Sequence, residues 1–408
     1  MKIYLVGGAV RDKLLNYPSD ENDWVVVGGT PQQMIDQGFE QVGKDFPVFL
    51  HPKTKEEYAL ARRERKTGPG YGGFSFSTEA DVSLEDDLMR RDLTINAIAL
   101  SDDGELIDPY NGAADIQSKI LRHVSPAFSE DPVRILRVAR FAARYHHLGF
   151  TIAPETLALM QAMVANGEVN HLVSERIWKE FSRALGEQTP HIFIQTLRDC
   201  QALKTIMPQL DKLFGIPQSP EHHPEIDTGI HTLMCLQQAC KLSTSERVRF
   251  ATLMHDLGKG DTESQFLPKH PGHEERGVEL INNLCQSISA PNEYRDLSLL
   301  ACRYHTQCHR ALSLDASDIY SLFKSLDVYR KEERFEEFLL SCQADSLGRK
   351  GYENIDYPQA DFLRAALNTT KSVEAKTLVA EGFKGALLGA ELDRRRINMI
   401  ANYKNSML

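Results

Sequence analysis

The sequence predicts an α+β chain in two parts: a small mixed sheet with covering helices up to about residue 125, then an almost wholly helical remainder. Three observations carry this expectation. Short β-type runs, KIYLVG, DWVVVG, PVFLH and EYALARRE, alternate with helical patches near the start. From about residue 126 the strand signals give way to amphipathic helical patterns such as DPVRILRVARFAARYHHLGF and RIWKEFSRALGE. The chain has 408 residues and is 42% hydrophobic, enough to bury several cores in roughly two to four domains.

Composition narrows the function classes. A net charge of -10 argues against a protein that coats nucleic acid nonspecifically, because phosphate binding relies on Lys and Arg. Local basic grooves remain compatible with it, since Lys53 to Lys66 holds six basic residues against three acids, and Lys119 to Arg144 is again basic. The seven cysteines run from Cys200 to Cys342 without a C-x-x-C pair, which fits reduced thiols. The opening apolar run IYLVGGAV has eight residues, with neither the length of a membrane span nor the layout of a signal peptide, so a cytoplasmic protein is expected.

The first element, YLVGGAVRD, reads as a strand, a Gly-Gly turn and a helix beginning near Ala9. Glycines let backbone N–H groups approach a phosphate, the helix N-terminus adds partial positive charge, and Arg11 can add a charged donor. The next strand, ENDWVVVG, carries acids. Side chains at i and i+2 share a face, so Glu21 and Asp23 project together while Asn22 points away, and Asp20 falls outside the pair. Two adjacent carboxylates repel unless a cation lies between them, and hard oxygen ligands that also meet phosphates favour Mg²⁺. Glu57, opening the next β-like run, is the candidate third carboxylate.

Beyond these come RRDLTINAIA (90 to 99), DPYNGAADI (108 to 116), EDPVRILRVARF (130 to 141) and SERIWKEFSRAL (174 to 185). In the helix from Asp131, Arg134, Arg137, Arg140 and Arg144 fall within a stripe of about 120°. A Pro- and His-rich connector, FGIPQSPEHHPEID (214 to 227), is the best internal boundary, with a weaker one near Gly348 to Pro358. Eight of the 14 histidines lie between 222 and 309, far above an even share. Among them, VRFATLMHDLGKG delivers adjacent His255 and Asp256 at the end of an apolar helix. Imidazoles beside carboxylates suit a transition-metal ion better than Mg²⁺ alone. The stretch 381 to 403 reads as an amphipathic, glycine-containing helix, open to packing or to contact with a binding partner.

LVGGAVRD, the acidic strand, RRDLTINAIA, DPYNGAADI and EDPVRILRVARF together closely resemble the bacterial class II tRNA nucleotidyltransferases, the CCA-adding enzymes. The resemblance implies a polymerase-β-like head that adds C, C and A to the tRNA acceptor end from CTP and ATP without a nucleic-acid template. The family's metal-binding D-x-D corresponds to Glu21-Asn22-Asp23, a departure that keeps the charge and lengthens the first ligand by one methylene. Two Mg²⁺ ions there would activate the 3′-hydroxyl and stabilise the leaving pyrophosphate. Gly8 and Arg11 would hold the triphosphate, and Arg91 of the RRD turn, followed by Asp92, would meet ribose or phosphate. Asp131 and Arg134 would read the base edge, with Arg137 and Arg140 supporting the nucleotide. Cytosine and adenine each place an amino donor beside a ring-nitrogen acceptor, which uracil and guanine do not.

The His-Asp string resembles the HD phosphohydrolase superfamily, with His231, His255, Asp256 and Asp345 as metal ligands and Ni²⁺ as the implied ion. Spacing leaves open whether His273 or His305 adds a ligand, and a surface or packing role is the expectation for each. The resemblance implies phosphatase, 2′,3′-cyclic phosphodiesterase and 2′-nucleotidase activities. It also implies a nucleotidyltransferase head at 1–125, a helical neck and body at 126–220, an HD domain at 221–350 and a helical tail at 351–408. A monomer or homodimer without membrane partners is expected. The competing readings are a poly(A) polymerase, and an HD hydrolase with a degenerate RNA-binding head.

Overall fold

The structure is a computed structural model that describes residues 1–18, 22–42, 48–66, 74–77 and 82–407, with backbone alone for 63–66 and 74–77. Asp20 and Glu21 lie outside the described residues. The chain forms two compact units, Met1–Ile206 and Met207–Leu408.

The first unit opens with β1 (Lys2–Val6), α1 (Gly8–Leu15), β2 (Asp23–Val27), α2 (Pro31–Asp36), β3 (Glu40–Val42), β4 (Val48–Leu50) and β5 (Glu57–Leu60). A hairpin, β6 (Arg63–Lys66) with β7 (Phe74–Ser77), precedes α3 (Leu84–Met89), β8 (Ala99–Ser101), β9 (Leu106–Ile107) and α4 (Gly112–Ser118). Seven strands form one mixed sheet in the order β3-β4-β5-β2-β1-β8-β9. Only the β2–β5 pair in it is parallel.

Strand alternation divides this sheet into two apolar faces. Val6, Val25, Ala61 and Ala99 pack with Val82, Leu84 and Leu88 on one side. Val26, Tyr58 and Leu60 pack with Met34 and Phe49 on the other. The short covering helices start where sequence chemistry dictates. Thr30 and Gln33 close a capping box on α2, and Ser83 with Asp86 closes one on α3.

The remainder of this unit is β10 (Ile120–Leu121), α5 (Val133–Tyr145), β11 (Thr151–Ile152), α6 (Pro154–Ala165), α7 (Ser174–Gly186), α8 (His191–Asp199) and α9 (Leu203–Ile206). The expected loss of strands after residue 126 holds apart from β11, which pairs in parallel with β10. Helix α5 begins two residues after Asp131, because the Asp131 carboxylate accepts the Val133 N–H at 3.0 Å. Its apolar face buries Ile135, Leu136, Val138 and Ala139 completely, and Phe181 of α7 stacks on Phe193 of α8 at 5.5 Å. Each such aromatic contributes roughly 1.5–3 kcal/mol through burial.

The second unit is helical among its described residues: α10 (Pro208–Asp211), α11 (Thr228–Leu242), α12 (Glu246–Met254), α13 (His273–Ser287), α14 (Asn292–His309), α15 (Ala316–Leu326), α16 (Glu332–Leu347), α17 (Pro358–Thr370), α18 (Ala375–Ala380) and α19 (Gly385–Ser406). Phe323, Phe335, Phe338, Leu339 and Leu363 form its largest described core. The connector at 214–227 lies inside this unit rather than between the two. Pro217 bridges Asp227, and Gln218 accepts from the Lys259 ammonium at 2.7 Å. The glycine-containing stretch from 381 becomes helical from Gly385 and packs through Ile397, Ile400 and Tyr403, while Leu387 is 72% exposed. Among the described residues no helix is long and apolar enough to cross a membrane.

Candidate active sites

In the first unit, backbone geometry builds the site. Val6, the last residue of β1, pairs with Asp23, the first of β2, so the Gly7-Gly8 turn follows directly beside the Asp23 carboxylate strand end. Asp23 is also in register with Glu57 on the parallel strand β5. Residues in register on neighbouring strands share a face, so both carboxylates lie on the side of Val25 and Ala61. Asn22 donates to Glu56 at 2.8 Å, and that bond pulls the Glu56 carboxyl below its usual range. The two residues that alternate with the acids are therefore occupied with each other. Glu21 was the expected partner of Asp23 and lies outside the described residues.

Gly7 has φ 68°, and a Cβ there would fall 2.7 Å from Arg91 Nη1. Only glycine allows that approach, which sets the Arg91 guanidinium directly against the turn. Arg91 is held by Asp87 at 3.3 Å and by the Asn96 carbonyl at 3.3 Å. Arg11, expected to add a charged donor at the turn, is 4% exposed and forks onto Asp12 at 2.8 and 3.0 Å. Its Nη1 donates to Asn96 at 2.5 Å, and its guanidinium lies 5.0 Å from the Phe141 ring centroid. Its Nη2 still lies 3.3 Å from the Cβ position of Gly8, so Arg11 backs the turn from behind.

The arginine stripe of α5 is not a solvated basic face. Arg140 donates to Glu180 at 2.6 Å, with both side chains 7% exposed. Burial works against the Arg140 charge and Glu180 offsets part of that cost. Arg137 donates to Asp92 at 2.7 Å. Burial opposes ionisation of Asp92, but Arg137 and the Asn96 amide hold its carboxyl far below the usual range. Arg144 lies near Asp12 and Glu187. Arg134 donates to the carbonyls of Ala127 and Arg90 at 2.9 and 2.6 Å. Asp131, expected to work beside Arg134, is gripped by both Nη atoms of Arg176 at 3.1 and 2.7 Å. Sequence reasoning missed Arg176 because its partner is 45 positions away and no local pattern links them.

In the second unit, helix packing builds the site. His231 of α11 and His255, just after α12, point Nε2 toward Asp345 Oδ1 of α16 at 3.0 and 3.5 Å. Asp256 Oδ2 is 3.1 Å from His255 Nε2 and 4.0 Å from His231 Nε2. All four residues are at least nine-tenths buried. The far ring nitrogens fix the tautomers, since His231 Nδ1 lies 2.9 Å from Glu225 Oε1 and His255 Nδ1 lies 2.7 Å from the Thr252 carbonyl. Each Nε2 can therefore present a lone pair to the centre, with Glu225 as the outer carboxylate that metal-ligating histidines commonly use.

The centre favours positive charge. Burial alone would depress His255, but Asp256 and Asp345 push it up to about 10. Burial opposes the ionised forms of Asp256 and Asp345, yet the surrounding cations hold both far below the usual carboxylate range. His255 Nε2 and Asp256 Oδ1 are buried without a hydrogen-bond partner among the described residues. This donor set fits a divalent transition metal better than it fits itself. Cys235 lies beside it, 3.3 Å from His231 Nε2, and burial raises its thiol well above the usual value.

A cavity of about 390 Å³ opens against this centre, lined by Lys259, His273, His305, His309, Asp345 and Arg349 among others. Sequence reasoning did not assign Glu225, Lys259, His309 or Arg349 to the site. Lys259 lies 2.6 Å from Asp256 Oδ2, and His309 Nε2 lies 2.7 Å from Asp345 Oδ2. His273 and His305, expected to pack, both face the centre, whereas His270 turns to Thr262 and the Pro217 carbonyl.

Comparison with known proteins agrees along the whole chain. Residues 3–122 match the family described as "Poly A polymerase head domain", 149–214 "Probable RNA and SrmB- binding site of polymerase A", and 228–347 "HD domain". The chain is 61% identical over 406 residues to the multifunctional CCA protein of Teredinibacter turnerae, covering 100% of this chain and 99% of that one. It is 57% identical over 404 residues to the multifunctional CCA protein of Hahella chejuensis, covering 99% and 96%. Among solved structures, the fold is similar to an apo form of a CCA-adding enzyme, with TM-score 0.67, 19% identity and coverage of 100% and 92%. It is similar also to the Thermotoga maritima CCA-adding enzyme complexed with tRNA, with TM-score 0.64, 19% identity and coverage of 100% and 92%.

Proposed function

The chain belongs to the multifunctional CCA protein family, and from that membership we propose that it builds and repairs the 3′-terminal CCA of tRNA from CTP and ATP. The observation that carries the reading is the register of Asp23 with Glu57 beside a glycine turn against which Arg91 is set. Glu21 and Asp23, with Glu57 as the third carboxylate, would hold Mg²⁺. When bound, the ion supplies charge neutralisation at the triphosphate and a more acidic 3′-hydroxyl. The backbone N–H groups at the start of α1 receive triphosphate oxygens, helped by the helix dipole, and Arg91 adds a charged donor. Arg11 fixes the helix from behind through Asp12 and Asn96.

Asp131 accepts from the exocyclic amino group shared by cytosine and adenine, and Arg134 offers the complementary donor. Arg176 orients the Asp131 carboxylate for that task. Arg137 and Arg140 hold the supporting layer through Asp92 and Glu180, and so support the nucleotide indirectly. The divisions at about 125, 220 and 350 are our assignment of head, neck and body, HD domain and tail.

The HD domain is assigned a second activity on phosphate esters, as phosphatase, 2′,3′-cyclic phosphodiesterase and 2′-nucleotidase. His231, His255, Asp256 and Asp345 would hold a divalent transition metal, with Ni²⁺ the favoured ion. Such an ion, when bound, supplies an activated water. Lys259 and Arg349, both lining the cavity, receive the phosphate charge. An end closed by a cyclic phosphate lacks the free 3′-hydroxyl that nucleotide addition needs, so the two activities suit one substrate. The polymerising reading is tested by incubating purified full-length protein with tRNA lacking CCA, Mg²⁺, CTP and ATP and sequencing the product. Ordered addition of C, C and A is expected, and extension with ATP alone would assign the head to poly(A) synthesis instead.

A further inference from the structure

Asp345 is held from two sides. Its Oδ1 faces His231 Nε2 at 3.0 Å and His255 Nε2 at 3.5 Å, whereas its Oδ2 lies 2.7 Å from His309 Nε2. His309 is the last residue of α14 and lines the cavity, and Gln359 donates to its carbonyl at 3.2 Å. The other ring nitrogen of His309, Nδ1, lies 2.9 Å from the Tyr357 hydroxyl, which is itself 3.4 Å from Cys308 Sγ. The His309 and Tyr357 rings meet edge to face, with centroids 5.7 Å apart.

The donors and acceptors along this line fall in one order. An ionised carboxylate only accepts, so His309 Nε2 carries a proton toward Asp345. In the neutral ring Nδ1 is then a lone pair, and the Tyr357 hydroxyl donates to it. The Cys308 thiol stands behind the hydroxyl as a weak partner. Each proton from Tyr357 through His309 to Asp345 therefore points inward.

The supports are buried and come from three parts of the second unit. Asp345 belongs to α16, His309 ends α14 and Tyr357 stands just before α17. Tyr357 is 7% exposed and Cys308 is fully buried. Tyr357 and Gln359 lie beyond residue 350, in the segment assigned to the tail, so that segment completes a site begun by the helices before it.

Carboxylate geometry decides what this hold does. A carboxylate can meet a metal through one oxygen or through both. With Oδ2 taken by His309, Asp345 presents Oδ1 alone to His231 and His255. A catalytic metal centre needs a coordination position that its protein ligands leave open. Asp345 and His309 both line the cavity from which a water or a phosphate oxygen would reach it.

We propose that His309, oriented by Tyr357, is a positioning residue of the HD centre, which fixes Asp345 as a one-oxygen ligand and so keeps a coordination position open for the phosphate ester. The proposal rests on the reading that His231, His255, Asp256 and Asp345 hold a divalent transition metal.

Cobalt binding tests this without relying on activity. Full-length protein carrying Asp23→Ala, to remove the polymerising site's ligand, is titrated with Co²⁺ against a chelator and followed by its visible spectrum. His309→Ala should weaken Co²⁺ binding by about 10–100-fold and lower the visible absorption, as Asp345 turns its second oxygen onto the ion. His309→Gln, whose amide still donates to Asp345, should restore most of both. Tyr357→Phe, which removes one oxygen atom, should weaken binding by about tenfold alone and add nothing to His309→Ala. Unchanged affinity and spectrum in His309→Ala and Tyr357→Phe overturn the proposal and leave the four-ligand centre standing. An equal loss from Tyr357→Phe with and without His309 overturns the part given to Tyr357. No Co²⁺ bound before either residue is changed overturns the reading of the centre itself.

Discussion

The two units hold their acidic residues by different means. In the first, Asp23 and Glu57 are placed by strand register and Gly7 by its positive φ, so the site is a property of backbone pairing within about fifty residues of chain. In the second, His231, His273, His305 and Asp345 arrive from four helices and His255 with Asp256 from the segment just after α12, and all are almost wholly buried. The first stays accessible, with Asp23 and Glu57 both exposed. The second surrounds a compact centre with histidines oriented by their far nitrogens. The contrast teaches that an accessible acidic site and a buried histidine-rich centre can share a chain while depending on separate structural supports.

Changing each support in turn sharpens the comparison. The largest effect is expected from Asp23→Ala, which should lower nucleotide addition to tRNA by on the order of 10³-fold while leaving phosphate release intact, since several kcal/mol of charge stabilisation goes with the ligand. Primer-extension rates and phosphate release on one preparation check this.

Asp92→Asn comes next, because it leaves Arg137 facing a neutral amide in a layer where Asp92 is 6% exposed. The first unit should lose about 3 kcal/mol, read as a lowered melting temperature for that unit. The pH dependence carries a definite sign. The folded-state value of Asp92 is depressed, so its contribution is fully present above its unfolded value of 3.8 and is lost as pH falls through the folded one. Wild type and Asp92→Asn should therefore differ by a constant amount from pH 5 to 8 and converge only in strong acid.

Glu225→Gln should weaken metal affinity of the second unit by about 10–100-fold, by replacing the carboxylate that orients His231. Competition titration with a chelator measures it, and an unchanged affinity would remove Glu225 from the site. The smallest expected effect is Arg176→Ala, which should cut discrimination between CTP and UTP by about tenfold as Asp131 loses its two-pronged hold. Single-turnover incorporation of each nucleotide reads that ratio.

Much of the fold was legible, for reasons tied to range. Strand alternation in DWVVVG and the glycine turn are local, and they set both the two faces of the sheet and the place of Asp23. Glu57 was reachable as the start of the next β-like run, and the parallel register sets it beside Asp23. Arg11 was not legible, because its burial depends on Tyr145, whose hydroxyl donates to Asp12 at 2.8 Å across 133 positions. The partners of the α5 stripe were out of reach in the same way. Periodicity located the arginines, but Glu180 and Asp92, which face them, come from other elements. In the second unit the His-Asp string marked the centre, whereas His273 and His305 needed the close approach at Gly258 and Gly277, which no spacing rule encodes.

The independence of the two sites is tested most directly on one substrate, a tRNA lacking CCA and ending in a 2′,3′-cyclic phosphate, supplied with Mg²⁺, Ni²⁺, CTP and ATP. Wild type should open and remove the phosphate and then add C, C and A. Asp23→Ala should stop at the free hydroxyl, and His255→Ala should extend only tRNA that already carries one. Extension of the blocked end by His255→Ala at the wild-type rate would contradict the account.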